Sequence, residues 1–546
     1  MRVARYLRPL LPSASDYRGL KRTWRGDLVA GLTVAVVALP LALAFGVSSG
    51  AGAEAGLVTA IVAGLVAAVF GGSNIQVSGP TGAMVVVLGP IVAAHGVAAV
   101  AIVSVLAGGL VLIAGTAKFG RLIAYIPWPV MEGFTLGIAI IIFLQQVPAA
   151  IGVSVAAGGN AALIAAGSFS LIAWPTIGWS LMMVAIVAVI MWLGPHIHKQ
   201  FPASIVAVLV AAAVAVVAGA PLATIGELPA ALPAPALPMV SFAVLQQLLL
   251  PALTVAALAA IESLLSARVA TSISDTGPYD GDRELVGQGL ASIAAGIFGG
   301  MPATGAIART AVNARSGGHT RAAAIAHALV LLAVVYVASG VVALIPLAAL
   351  AGVLMVTATR MVTVATLRSL VGSTKGDTVV FAITAIVTVS FDLIVAVAIG
   401  CAVAALLALR ALAQSAGVHR EELPMPATSE DQHIALFRID GPLFFGAADR
   451  VLERVTSITD VSVVILRLSQ IDSLDASGAK ALTETIDALQ RRGIVVLVKG
   501  IQLHHMALAT RVGVIASLRH ENHLFTDLND AVAHARSHVS RQTLSG

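Results

Sequence analysis

Two ionisable side chains stand inside long apolar runs in the second half of the chain: Glu262 in AIESLLSARVA (Ala260–Ala270) and Arg309 in ATGAIARTAVNAR (Ala303–Arg315). Charge at membrane depth costs at least ~2.5 kcal/mol and faces the protein interior rather than lipid. Arg309 supplies positive potential to whatever binds beside it, and Glu262 is a candidate proton or cation carrier. The two could also form a pair that neutralises itself. Arg309 follows Met301-Pro302, and a matching Gly79-Pro80 stands in GGSNIQVSGPTGA (Gly71–Ala83) of the first half. In lipid, unpaired backbone is tolerated only where it lines a cavity. A helix that starts at such a point, with Pro in its first turn, offers free N–H groups and the positive end of its dipole. Two such ends facing each other make an anion site.

Other chemistry-bearing residues carry less. Glu54 and Glu132 begin apolar runs and read as interfacial. His95 and His327 are lone histidines, expected to be satisfied polar groups. His196 and His198 lack a third ligand, so no metal site is read there. Cys401, the one cysteine, lies in an apolar run, which excludes an internal disulfide and a zinc site of Cys type. No phosphate-binding P-loop is present, which argues against an ATP-driven pump. The chain is not expected to be an enzyme, to hold a cofactor or metal, or to bind nucleic acid.

The elements that must position Glu262 and Arg309 are membrane segments. The 546 residues are 58% hydrophobic and only 11% charged, where a soluble chain is about a quarter charged; mean hydropathy is +0.96. Spanning a bilayer takes about 20 apolar residues. Apolar runs lie near Val29–Val47, Ala55–Phe70, Ser78–Ala94, Val97–Gly115, Pro129–Val147, Thr176–Gly194 and Ala203–Gly219. A second set lies near Gln246–Ala267, Glu284–Phe298, Ala303–Asn313, Ala322–Ile345, Pro346–Thr357, Thr378–Val389 and Leu393–Leu409. That gives about 14 segments. Lys and Arg fall after even-numbered segments (Lys118, Arg121, Lys199, Arg268, Arg315, Arg360, Arg410), whereas the connections Pro148–Pro175 and Ala220–Leu245 hold none. The positive-inside rule then makes both termini cytoplasmic, with a basic arm over residues 1–25 that does not read as a cleavable signal.

The two sets match internally. Leu32-Thr33-Val34-Ala35 corresponds to Leu253-Thr254-Val255-Ala256, Phe70-Gly71-Gly72 to Phe298-Gly299-Gly300, and Pro80-Thr81-Gly82-Ala83 to Pro302-Ala303-Thr304-Gly305-Ala306. Seven segments per copy is an odd number, so the second copy is inverted. Inverted repeats with paired, Gly/Pro-broken segments point to a transporter site at mid-membrane. The transporter domain is placed at 26–415, with repeats at about 26–220 and 246–413.

LPLALAF (Leu39–Phe45), GGSNIQVSGPTGA, AIESLLSARVA, ELVGQGLASI (Glu284–Ile293) and FGGMPATGAIARTAVNARSG (Phe298–Gly317) resemble the sulfate permease family, bacterial relatives of solute carrier family 26. The resemblance covers nearly the whole chain. It implies a 7+7 inverted repeat, with segments 1–4 and 8–11 forming a core domain and 5–7 and 12–14 a gate domain. It also implies an elevator motion of core against gate, and a homodimer. The family's anion site carries over to Phe45, Val77, Ser78, Thr81, Thr304, Gly305, Ala306 and Arg309, and its coupling acid to Glu262, tied in bacterial members to H+ or Na+. Leu41 stands where some animal members have Gln, and Ala306 and Ala308 stand where some relatives have Ser. What remains is backbone N–H, Thr hydroxyls and dipoles. That set suits sulfate, bicarbonate, chloride or a carboxylate without choosing among them.

After a linker at 416–430 the pattern becomes that of a cytoplasmic α/β domain over 431–546. Strands are expected at His433–Ile439, Val461–Leu468 and Ile494–Val498, and helices at Ala447–Val455 and Ala476–Arg491. DSLDASG (Asp472–Gly478) resembles the helix-opening loop of STAS domains, with Asp475 as cap. Ser477 matches the serine phosphorylated in anti-sigma-factor antagonist relatives; a plain turn serine is the simpler reading. A regulatory protein is the expected partner of this domain.

These features together indicate a secondary-active transporter of a small anion in a bacterial cytoplasmic membrane, expected to be a proton symporter. Alternatives are a sodium-coupled symporter, an exchanger, an uncoupled channel, and an anion-sensing receptor signalling through the C-terminal domain. Nucleobase uptake on a related fold is disfavoured by Arg309.

Overall fold

The computed structural model describes residues 8–121, 126–153, 155, 160–172, 174, 176–197, 201–228, 231–238, 241–391, 393–415, 417–444, 453, 455 and 458–545. It divides into two units, at Met1–Cys401 and Ala402–Gly546.

In the first repeat the helices are α1 (Leu20–Ser48), α2 (Ala53–Phe70), α3 (Gly82–His95), α4 (Ala98–Thr116), α5 (Trp128–Ala150), α6 (Ala161–Ser168), α7 (Thr176–Ile197) and α8 (Ala203–Val217). A two-residue strand, β1 (Ser78–Gly79), precedes α3. The second repeat holds α9 (Phe242–Ile273), α10 (Gly281–Ile297), the strand β2 (Thr304–Gly305), α11 (Ile307–Arg315), α12 (Arg321–Ala343), α13 (Leu347–Met361), α14 (Val364–Val371), α15 (Lys375–Ser390) and α16 (Leu393–Ser415). Each of the fourteen expected segments contains a helix. Among the described residues nine helical stretches are long and apolar enough to cross a membrane, one of them, Leu347–Val371, running through α13 and α14 together; α3, α8, α10, α11 and α15 are shorter. Two helices of the first unit were not foreseen. The short α6 lies in the connection Pro148–Pro175, opened by Asn160, whose side chain accepts from the Ala162 and Leu163 N–H groups. The second, α14, is capped by Thr363. His198 and Lys199 lie outside the described residues.

Close backbone approach holds the core helices together. A Cβ on Gly108 of α4 would lie 2.7 Å from the Gly289 carbonyl oxygen of α10, and one on Gly289 would lie 2.6 Å from the Leu112 nitrogen. Gly115 meets the Asp282 carbonyl and Val286 in the same way, and Gly296 meets Ala101. Between helices in lipid, where no hydrophobic drive exists, such small-residue seams let dispersion act at short range.

Buried polar groups tie the two repeats. The Glu284 carboxylate accepts from the Gly72 N–H at 2.8 Å, the Ser73 N–H at 3.2 Å and Gln288 Nε2 at 2.9 Å. Arg321 donates to the Ala68 and Gly71 carbonyls, and Asp27 accepts from the His319 and Thr320 N–H groups at the start of α12. The α2 helix widens to a π-turn at Thr59–Ala63, and Thr59 Oγ1 accepts from the Met301 N–H at 2.7 Å. Before α1, Asp16 pairs with Arg283 at 2.6 Å.

The second unit is a five-stranded sheet, β3 (Gly417–Glu421), β4 (Ile434–Leu443), β5 (Val463–Leu474), β6 (Val495–Lys499) and β7 (Leu524–Phe525), in that spatial order. The β3–β4 pair is antiparallel and the others parallel. One face packs Leu466, Leu482, Leu489 and Val498, with α17 (Ala476–Arg491) and α18 (Leu503–Val512) over it. The other packs Ile465, Leu497, Ala531 and Val539 beneath α19 (Leu528–Ser545). The expected linker 416–430 needs correction, because its GVHRE stretch forms β3. A charged edge strand breaks the apolar alternation on which strand recognition depends. Arg438 and Arg467 both pair with its Glu421. The expected helix Ala447–Val455 falls mostly outside the described residues.

Candidate functional site

The broken segments of the two repeats meet. β1 and β2 pair antiparallel, Ser78 opposite Gly305 and Gly79 opposite Thr304, and the Ala306 N–H donates to the Val77 carbonyl at 2.9 Å. Extended backbone at Ser78–Gly79 and Thr304–Gly305 thus satisfies itself without water, as the interior of a membrane protein requires. Each strand then turns into a helix, α3 with Thr81 as N-cap and α11 with Ala306 as N-cap, and neither N-cap side chain bonds its helix. Thr81 has its hydroxyl committed elsewhere, and Ala306 has none. The first-turn N–H groups of both helices are left for a ligand.

The Thr81 hydroxyl is committed to Glu262. It donates to Glu262 Oε2 at 2.8 Å, the Thr304 hydroxyl donates to the same oxygen at 2.8 Å, and the two hydroxyl oxygens lie 3.0 Å apart. Glu262 comes from α9, whose next residue, Ser263, holds the strand pair in place. Ser263 Oγ accepts from the Gly305 N–H at 3.1 Å, and the Ser263 carbonyl accepts from Gln76 Nε2 at 3.3 Å.

Arg309 is 2% exposed. Its guanidinium reaches from α11 into the first repeat and donates to the Pro80 carbonyl. Its Nη1 has no hydrogen-bond partner and lies so close to Gly79 that a Cβ there would be 2.6 Å away. No Glu262–Arg309 ion pair forms within 4.0 Å among the described residues, so neither side chain neutralises the other by direct contact.

Phe45 of α1 and Ile142 of α5 cover the start of α3; a Cβ on Gly82 would lie 2.2 Å from Ile142 Cδ1 and 3.5 Å from the Phe45 ring. Beyond them, a cavity of about 270 Å³ opens between Ala44, Val47, Ser48, Gln145, Gln146 and Leu350. Ile307, at the start of α11, is 38% exposed, so that half-helix also has an open edge.

Of the residues singled out in the sequence, Phe45, Thr81, Glu262, Thr304, Gly305, Ala306 and Arg309 converge on this point. Val77 contributes backbone only, since its side chain packs with Val34, Ala68 and Ala324. The Ser78 hydroxyl accepts from Gln288 Nε2 at 2.6 Å. Ser477 is exposed in the first turn of α17, in the other unit, and Asp475 caps that helix by accepting from the Gly478 N–H at 2.7 Å. The expectation that lone histidines are satisfied fails for His327, which is fully buried with both ring nitrogens unpartnered; His95 is exposed at the end of α3. Sequence reasoning passed over Gln76, Ser263, Glu284, Gln288 and Thr310, which hold the strand pair in place. Their signal was available as polar side chains standing in apolar segments.

Residues 24–384 match the sulfate permease family and residues 425–531 the STAS domain. The "Putative sulfate transporter YvdB" of Bacillus subtilis (strain 168) is 33% identical, over 93% of this chain and 96% of that protein. The bicarbonate transporter BicA of Picosynechococcus sp. is 32% identical, over 85% of this chain and 87% of its own. The solved murine Slc26a9 anion transporter, in its inward-facing state, superposes with a TM-score of 0.83 at 18% identity, covering 98% of this chain and 95% of that one, a likeness of fold. The chain is therefore a polytopic membrane transporter rather than an enzyme, and it belongs to the sulfate permease family, whose members carry anions, with a STAS domain following the membrane part in sequence.

Proposed function

We propose that this protein is a secondary-active symporter that carries a small inorganic or carboxylate anion together with a proton. The observation that carries the reading is the meeting of two uncapped half-helix N-termini beside the buried Arg309 guanidinium, with Glu262 bound to the N-cap threonine of one of them. The anion sits against the first-turn N–H groups of α3 and α11, near Thr81, Thr304, Gly305 and Ala306, with Phe45 as its cover and Arg309 as fixed positive charge.

Coupling follows from counting hydrogens. Three oxygens, of Glu262, Thr81 and Thr304, lie pairwise within 3.0 Å. An ionised Glu262 leaves two hydroxyl hydrogens for three contacts; a proton on Glu262 supplies the third. The same proton removes the negative charge nearest the anion, so each ligand strengthens the binding of the other. Core helices then slide against the gate as an elevator.

The proposed setting is a bacterial cytoplasmic membrane with both termini inside, and a homodimer whose STAS domain receives a regulatory protein. Names among the relatives include both sulfate and bicarbonate, so substrate choice is left to assay. Uptake into proteoliposomes is measured for sulfate, bicarbonate, chloride and fumarate, with and without an acidic outside. Accumulation of one anion that rises with the proton gradient supports the proposal. Accumulation driven by a sodium gradient alone replaces H+ with Na+. Equilibration without accumulation means a channel or exchanger, and no flux favours a receptor.

A further inference from the structure

We propose that His523, His534 and His538 in the C-terminal domain form a binding site for one divalent transition-metal ion of the Zn2+ class. His534 and His538 are four residues apart on α19, which stacks them on one helix face. His523 immediately precedes β7, whose Leu524 pairs with Val498 of β6, so the sheet edge fixes its position. One candidate ligand nitrogen from each of the three rings lies within 4.8 Å of the others.

The spacing is that of a ligand set. His534 Nε2 and His538 Nε2 are 3.2 Å apart. Two nitrogens at 2.0–2.1 Å from a tetrahedral ion stand about 3.3 Å from each other. The three rings lie 4.9 to 5.5 Å apart between centroids, each pair in a T-shaped, edge-on contact. His523 is only 2% exposed, and its Nδ1 has no hydrogen-bond partner. A metal-binding imidazole characteristically gives one ring N–H to a carbonyl and leaves the other nitrogen free to ligate. A buried nitrogen without a partner is costly, and an ion would satisfy it.

Ligation requires the neutral imidazole, and the surroundings bias all three rings toward that form. Burial is the first cause lowering the proton affinity of all three, and Arg541 and Arg519 add positive potential at His538. Imidazole ligands without thiolate suit Zn2+, Cu2+ or Ni2+ rather than Mg2+ or Ca2+. Three protein ligands leave a position for water, with exposed His520 beside His523 at 5.5 Å between ring centroids. An ion here would fasten the C-terminal helix to the sheet edge.

The test uses the full-length protein in detergent, purified without a histidine tag and stripped with chelator. Co2+ is titrated by absorbance, Zn2+ by competition, and the melting temperature is recorded with and without Zn2+. One ion per chain and a rise in melting temperature are expected. His523→Ala and His534→Ala should each weaken binding by more than ~100-fold, beyond what an outer-shell change costs, while His196→Ala and His433→Ala leave it unchanged. Should His523→Ala fail to fold, His534→Ala and His538→Ala at half-buried positions carry the same test. No stoichiometric ion, or variants that bind as the wild type does, would leave the three rings a hydrogen-bonded cluster and overturn the proposal.

Discussion

Replacing Glu262 with Gln tests the coupling at one atom. Gln keeps the length and an amide oxygen that can accept from Thr81 and Thr304, both 2.8 Å from Glu262 Oε2, but it can never carry the negative charge. An anion at the α3 N-terminus lies one residue beyond Thr81, on the order of 6 Å from that oxygen. At an effective dielectric of about 20, two unit charges ~6 Å apart repel by about 3 kcal/mol, roughly two decades in affinity. The wild type should therefore bind its anion ~100-fold more tightly when Glu262 is protonated than when it is ionised. Glu262→Gln should bind at every pH as tightly as the acidic wild type, and should equilibrate the anion without accumulating it. Equilibrium binding in detergent across pH, alongside uptake into proteoliposomes, reads both. A Glu262→Gln variant that still accumulates anion with the proton gradient, or whose affinity still varies with pH, refutes the reasoning.

Three other outcomes are expected. Arg309→Ala removes the fixed charge and leaves the buried Pro80 carbonyl unpaired, which should lower uptake by at least ~10-fold at unchanged expression; wild-type kinetics would take Arg309 out of the site. The Arg283 guanidinium beside Asp16 holds its carboxyl at about 2, below the ordinary 3.8, so the stability it adds is present above pH ~3.8 and fades as pH falls toward ~2. Asp16→Asn should then lower the melting temperature at neutral pH and lose that difference in acid; an equal deficit at pH 2 would contradict it. Truncation after Ser415 should preserve which anion is carried, whereas truncation after Glu430 leaves β3 without its partner β4 and should aggregate more readily on size exclusion. A change of selectivity in either would mean that the C-terminal domain shapes the site.

Much of the membrane part was legible because lipid imposes strong rules. Composition, the Lys/Arg alternation and the Gly79-Pro80 and Met301-Pro302 breaks located the segments and the special pair among them. Sequence does not carry the pairing itself. Both helices begin later than the breaks suggest, at Gly82 and Ile307, because the residues after each break are first spent on the strand pair. Glu284 stood at the edge of an apolar run and read as a boundary, yet its carboxylate is buried and holds the Gly72–Ser73 turn. In the C-terminal domain β3 is charged and flanked by polar residues, so only its ladder with β4 reveals it. His534 and His538 stand at the i, i+4 spacing of a zinc half-site, but His523 lies on a different element, and only the sheet edge brings it to them.

The glycine seam between α4 and α10 bears on how such a molecule can deform. Where backbone rests on backbone, as Gly108 does on Gly289, no side chain stands between the helices to change rotamer and absorb strain. Compliance has to come from elsewhere, at surfaces where longer side chains meet. If the core travels, it travels as a stiff body, and the distances among Thr81, Thr304, Glu262 and Arg309 are the same at both ends of the stroke. A methyl added at Gly108 would act as a wedge, and its effect on transport would report the rigidity of the carrier rather than the chemistry of the cargo.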